Sequence, residues 1–253
     1  MTSTFILTIG FIVLVLFEWR HHRLNERRFL NNLALAVINN LLFFLLPLGS
    51  LVAVATWAES SNWGLFNQLA APVWLEMVPA VVAMDCIIYW QHRASHAFPW
   101  FWQLHKVHHS DQSLDTSTGL RFHPVELALS LLLKALTVLI LGLSPSSIIV
   151  FECLLTLCSL FIHAHLELPQ NIERKLWQII VTPRLHRIHH HWLRPETDRN
   201  FCTIFSCWDR LFNTFRLPQA DDKLVLGLLE YRGERCVVSV VHMLLLPFNR
   251  RSR

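Results

Sequence analysis

Charge is what this sequence has least of. Only 16% of its 253 residues are Asp, Glu, Lys or Arg, against 53% hydrophobic, a balance too apolar for an ordinary soluble domain, so the membrane comes first among its environments. Its six cysteines contain no C-x-x-C pair, and Cys86, Cys153 and Cys158 fall inside apolar runs. That excludes a disulfide scaffold and predicts buried, reduced thiols. No basic residue precedes the first apolar run and no small-x-small cleavage site follows it, which predicts a retained anchor in place of a cleaved signal peptide. Internal repeats, low-complexity tracts and Gly/Ser linkers are missing, so the chain reads as a single domain, 1–253. Haem-attachment, dinucleotide-binding and Cys-rich iron–sulfur patterns are also missing, which excludes a redox carrier built into this sequence. With no stacking aromatic ladder or nucleic-acid-reading motif, the net charge of +4 is assigned to loops near anionic lipid, and nucleic acid is excluded as a partner.

Long apolar runs are what the sequence does have. They cover Thr4–Phe17, Leu33–Trp57, Val73–Tyr89, Leu127–Leu143 and Ser147–Ile162, with the first and the last two short enough to require tilt or re-entry. Four or five membrane helices are expected. The run Cys236–Pro247 is too short to span and suits the interface. Of the 22 Lys and Arg, four lie in Arg20–Arg28, three between Arg93 and Arg121, one is Lys134, and fourteen follow from Arg174. Ala58–Pro72 and Gly142–Ser146 have none, so the positive-inside rule puts these segments and the N-terminus outside and the C-terminus inside. Residues 1–165 are thereby read as membrane helices carrying the first histidine boxes, and 166–253, punctuated by Pro169, Pro183, Pro195 and Pro218, as a cytoplasmic cap carrying the last. Lys134 and Glu152 each stand nine residues from Leu143 in the turn "ILGLSPSS". Antiparallel helices joined there bring them to one depth, and an ion pair with a structural role is expected, because either charge alone is costly in hydrocarbon.

The stretch "YWQHRASHAFPWFWQLHKVHHS", Tyr89–Ser110, holds five histidines. His92 and His96 are spaced i, i+4; His105, His108 and His109 are spaced i, i+3, i+4, and "HRIHH" repeats that spacing at His186, His189 and His190. On a helix such spacing gathers imidazoles on one side, where their nitrogen lone pairs suit Zn, Cu, Fe or Ni. Eight histidines exceed what one ion uses, so two metals are expected. "FIHAHLELP", with His163 and His165, closes the fifth run on the same side of the membrane as all three boxes.

These boxes, together with "RFHPVE", "TPRLHRIHH", "DRNF" and "WDRLFNT", resemble the fatty acid hydroxylase/sterol desaturase superfamily of membrane di-iron oxygenases over roughly Val78 to Leu217. The resemblance implies an all-α integral membrane bundle under a cytoplasmic helical cap, with two iron ions held by His92, His96, His105, His108, His109, His186, His189 and His190, and with His163 in the intervening position. His165 stands where many relatives have Asn and is carried as a further candidate ligand. His191 follows the last box, with a role in capping or in supporting a ligand imidazole expected, and His123 in "RFHPVE" is given a structural or substrate-channel role. Asn213 replaces the Gly usual in W-D-R-L-F-G-T, which touches the cap turn and leaves the metal assignment intact.

The activity so implied is O2-dependent hydroxylation or desaturation of a C–H bond in a lipid, whether fatty acyl, sterol-like or another isoprenoid, on the cytoplasmic face and, in a bacterium, at the inner membrane. Electrons are expected from a separate reductase, ferredoxin or small haem protein. The other class open to such a chain is a histidine-rich membrane metal-binding or metal-transport protein without oxygenase activity. Against it, transport favours ionisable groups along several helices at mid-membrane, whereas these boxes gather at one face. His21 and His22 are read as an interface cluster beside arginines, His242 as packed, and Trp90, Phe98, Trp100, Phe101 and Trp102 as an interfacial belt. Asp198, Asn200 and Asp209 are read either as groups that orient imidazoles or as exposed polar contacts of the cap.

Overall fold

The computed structural model describes residues 2–21, 25–45, 50–70, 72–218, 225–232 and 239–249. Among these the architecture is all-helical, with isolated antiparallel bridges at Ile180–Phe205 and His191–Leu226. The helices begin with α1 (Thr2–His21), α2 (Glu26–Phe44), α3 (Leu51–Ser60) and α4 (Leu65–Gln68). They continue with α5 (Val73–Ala97), α6 (Pro99–His109), α7 (Pro124–Leu141) and α8 (Pro145–His163). After α8 the helices are short: α9 (Gln170–Leu176), α10 (Pro183–His189), α11 (Arg194–Thr197), α12 (Cys207–Leu211) and α13 (Val240–Leu245).

Three helices among the described residues, α5, α7 and α8, are long and apolar enough to cross a membrane, against the four or five expected. The run Leu33–Trp57, read as one element, is divided between α2 and α3. The buried face of α2 carries Arg28, Asn32, Leu35 and Asn39, one or two turns apart, so its polar residues find partners inside the protein. Of the interface histidines, His21 is exposed against the Phe17 ring; His22, like Cys236, lies outside the described residues.

The interior seam joins α3, α5, α7 and α8, with Val54, Ala55, Met84, Val138, Ile148 and Phe151 almost wholly buried in it. Opposite faces carry exposed apolar side chains such as Leu132, Leu136 and Ile140 on α7, as hydrocarbon contact requires. The α7–α8 turn is made by Gly142 in the left-handed region, φ 67°. A Cβ there would also come within 2.8 Å of the Trp63 carbonyl oxygen, so only glycine fits. Ser144 then caps α8 by accepting from the Ser147 amide, and Pro145 occupies the first helical position. The expected ion pair is present: Lys134 Nζ lies 2.8 Å from Glu152 Oε1.

Two polar assemblies fix the remaining segments against this seam. Asp85, buried in α5, accepts from the Ile204 and Phe205 amides and from Trp208 Nε1 at 3.3, 3.1 and 2.9 Å. On the other side Arg28 donates to Asp111 at 2.7 Å and also to Asp115. Arg121 donates to the Val107 carbonyl, Asn32 and Ser110 at 2.8, 3.0 and 2.7 Å. Burial opposes ionisation of Asp111, but Arg28 and Arg121 outweigh it and hold its carboxyl below the usual range. These bonds clamp the segment after α6 onto α2.

Several expectations are corrected. Trp102 is 4% exposed and does not join the exposed Trp90, Phe98 and Trp100, because its side of α6 turns inward with His105 and His109. Met243, on the inner face of α13, is buried and leaves its neighbour His242 exposed. Cys86, Cys153 and Cys158 are half-buried thiols at the edges of the apolar seam. Asn200 and Asp209 are buried scaffold residues: Asn200 bonds the Leu185 and Arg216 carbonyls, and Asp209 accepts from the Phe201 and Cys202 amides.

Candidate metal centre

Four helices deliver the histidines. α5 carries His92 and His96, and Phe98, extended at φ −98° and ψ 125°, then turns the chain so that α6 can start at Pro99. The corner folds His105 and His109 back onto α5, with Nε2–Nε2 separations of 3.0 Å for His92–His105 and 3.2 Å for His96–His109. α8 ends on His163, and α10 supplies His186 and His189 with His190 as its C-cap.

Nine of the ten candidate ligands fall into two groups, His92, His96, His105, His109 and His189 in one and His108, His163, His186 and His190 in the other. Within each group the nitrogens lie within 4.8 Å of one another. Helix geometry explains the partition. In H-x-x-H-H the first and last residues share a face, while the middle histidine points about 100° away from the last. The first box therefore sends His105 and His109 to one group and His108 to the other. The second box does the reverse, sending His186 and His190 to the latter group and His189 to the former. His165 joins neither group; its backbone amide donates to Glu18 at 2.6 Å. His191 accepts from the Leu193 amide through Nδ1. His123 caps α7 by accepting from the Val125 amide, and its Nε2 lies 3.2 Å from the Leu244 carbonyl oxygen.

Five outer nitrogens are oriented by acceptors, whereas Nδ1 of His108, His186 and His190 is buried without a partner. Nδ1 of His92, His163 and His189 meets the carbonyl oxygens of Phe201, Ser159 and Arg199 at 2.7, 2.6 and 2.8 Å. His96 Nδ1 meets Asp198 at 3.1 Å, and His105 Nδ1 meets Glu126 at 2.6 Å. A proton on Nδ1 leaves the Nε2 lone pair directed inward. Burial first, then the neighbouring imidazoles, pushes His108, His109, His186 and His190 well below the ordinary histidine range, and burial lowers His189 to about 3. Neutral rings with converging lone pairs are the form that binds metal. His189 Nε2 is buried without a hydrogen-bond partner, and the close Nε2–Nε2 approaches leave the inward nitrogens facing one another. This donor set fits two nitrogen-preferring metal ions.

Of the acidic residues in the family motifs, Asp198 takes its place beside an imidazole, as one sequence reading has it. Glu126 does so without being singled out, and Trp102, read as part of the interfacial belt, packs against imidazoles instead. The signal for Glu126 is faint, a carboxylate in the first turn of a helix opened by Pro124. Trp102, its ring 5.1 Å from that of His96 and 5.4 Å from that of His109, is hidden in sequence among four other aromatics. A cavity of about 430 Å³ borders His92 and His105 of one group and His108, His163 and His186 of the other, then runs between α2, α5, α7 and α8.

Fold and site together define a helical protein with three membrane-length helices among the described residues and a nine-imidazole centre beside a cavity. Residues 77–214, more than half of the chain, match the fatty acid hydroxylase family model, and the chain belongs to that family. It is 31% identical over 167 residues to alkylglycerol monooxygenase of Homo sapiens, covering 66% of this chain and 36% of that protein. It is 26% identical to an ornithine lipid hydroxylase of Rhizobium tropici, over 80% of this chain and 60% of that one. With a very-long-chain aldehyde decarbonylase of Oryza sativa subsp. japonica it shares 29% identity over 55% and 54% of the two chains. This chain spans only about a third of the length of the alkylglycerol monooxygenases it matches. No solved structure matches it at a significant level.

Proposed function

We propose that this chain is a membrane-embedded, O2-dependent lipid hydroxylase with two iron ions, one held by His92, His96, His105, His109 and His189 and the other by His108, His163, His186 and His190. The observation that carries the reading is the shared wall: both histidine groups border one cavity lined by α2, α5, α7 and α8. Metal transport draws no support from that arrangement. Bound iron would supply the redox chemistry that activates dioxygen toward an unactivated C–H bond. The chain's own part is to orient imidazoles through Asp198, Glu126 and backbone carbonyls, to exclude water by burial, and to position an alkyl segment beside the histidines. Hydroxylation is favoured over desaturation by the names of the relatives. Electrons come from a separate carrier protein. The whole chain acts as one domain, 1–253, residues 166–253 closing the centre from the cytoplasmic face, the inner membrane being its place in a bacterium.

The test is iron content and product formation in detergent-purified protein supplied with a chemical or protein reductant, O2 and a membrane lipid extract. About two irons per chain and O2-dependent appearance of a hydroxylated lipid are expected. His108→Ala and His189→Ala, which strike different groups, should each abolish product while the protein still inserts in the membrane. Full activity in either variant refutes the two-centre assignment.

A further inference from the structure

The cavity does not end in hydrocarbon. Along α7 it is lined by Glu126, Leu127, Ser130, Leu131 and Lys134, a single helical face whose far end lies eight residues, roughly 12 Å, from Glu126. Along α8 it is lined by Glu152, Leu155, Thr156, Ser159 and His163, also one face, and Glu152 lies roughly 16 Å from His163. The 2.8 Å Lys134–Glu152 pair therefore forms the floor of the slot whose other end is the histidine centre. Its side chains are 13% and 38% exposed, so the pair is not sealed between helices as a staple would be.

A charged pair at this depth is expensive, and apolar residues of similar size commonly hold two helices as well or better. A purely alkyl substrate would gain nothing from it. Unpaired acceptors also line the cavity, but at its histidine end, beside Phe122 and His92, so they bear on the reacting segment and not on the pair. Asn39 donates through Nδ2 to the Phe122 carbonyl at 2.9 Å, which fixes its Oδ1 as an acceptor, and that oxygen is buried with no donor. Gln91 Oε1 is likewise buried without a donor, and both residues line the cavity. Buried acceptors without partners are costly unless a ligand supplies the hydrogens.

We propose that the Lys134–Glu152 pair is a recognition site for an uncharged hydrogen-bonding group, a hydroxyl or amide, carried by the lipid substrate about 12–16 Å from the carbon that is oxidised. The pair is net neutral and offers both ammonium hydrogens and a second carboxylate oxygen, so it suits a group that accepts and donates at once. An ionised group would compete with one partner for the other. This assignment rests on the lipid-oxidising reading for its orientation, but its test uses binding alone.

The experiment compares dodecyl phosphocholine with its ω-hydroxydodecyl counterpart, each radiolabelled, binding to the full chain in lipid nanodiscs, with empty nanodiscs as the blank. The wild-type protein should hold the hydroxylated probe about tenfold more tightly, the size that one hydrogen bond to a charged group supplies. The apolar double variant Lys134→Met/Glu152→Leu should lose or reverse that preference, while the exchanged pair Lys134→Glu/Glu152→Lys should keep it. Equal binding of the probes by the wild type, binding of neither, or an undiminished preference in the apolar variant overturns the proposal. If the apolar variant does not fold, the wild-type comparison and the exchanged pair still decide. Absence of lipid oxidation by iron-loaded protein that retains the probe preference would remove the hydroxylase reading and leave this site standing.

Discussion

Glu126 meets His105 Nδ1 at 2.6 Å with one oxygen, while the other is buried without a partner. A carboxylate placed behind a ligand imidazole fixes the ring's tautomer and strengthens its donor nitrogen, and loss of such a partner typically costs 10–100-fold in metal affinity or activity. Glu126→Gln keeps the shape and removes the charge. We expect it to weaken iron retention by roughly that factor in a chelator-competition assay, with the Glu126→Asp variant recovering part of the loss. Unchanged retention in Glu126→Gln would make the contact incidental. Asn213 shows the same economy at a turn. It adopts φ 61°, the left-handed conformation, and asparagine is among the few residues other than glycine that enter it readily.

At the scale of elements, α2 is the departure from a simple bundle. Its inward stripe meets the segment after α6 through Arg28, which is 3% exposed and faces Asp111 and Asp115. Removing one member of a buried ionic cluster strands the others and costs about 3–5 kcal/mol, whereas neutralising the cluster together costs far less. Arg28→Met should accordingly lower the thermal midpoint of the detergent-solubilised protein sharply. Adding Asp115→Asn to it should restore part of the loss, because Arg121 still balances Asp111. A double variant no more stable than Arg28→Met would show that the bonds Asp115 accepts from the Ser117 amide and hydroxyl dominate instead.

At the scale of the whole molecule, the proposed function and the positive-inside reading both expect the centre on the cytoplasmic side. Ser61, between α3 and α4, is exposed, as is Lys175 in α9; Ser110, nearer the centre, is fully buried with its hydroxyl accepting from Arg121. In a cysteine-free background, Ser61→Cys should react with an impermeant thiol reagent added outside intact cells. Lys175→Cys should react only after permeabilisation. Labelling of Lys175→Cys from outside would invert the topology and cut the histidines off from a cytoplasmic reductant.

Periodicity and spacing by themselves determine much of this protein. Apolar runs of membrane length specify α5, α7 and α8, the equal distances from Leu143 specify the Lys134–Glu152 pair, and i, i+3, i+4 repeats specify which histidines share a helix face, because each depends only on helical rise and rotation. Which histidine joins which group is decided by tertiary structure: the α5–α6 corner at Phe98 and the docking of α10 on α8 turn one spacing to opposite uses in the two boxes. The same holds for residues whose roles exist only between distant segments. Glu126 behind His105, Trp102 against His96 and His109, and Arg28 beneath Asp111 carry no local pattern, and the cavity that joins the histidines to Lys134 is a property of four helices packed together. His165 lies two residues from His163 and outside both groups, since α8 ends at His163 and the chain beyond it turns toward Glu18.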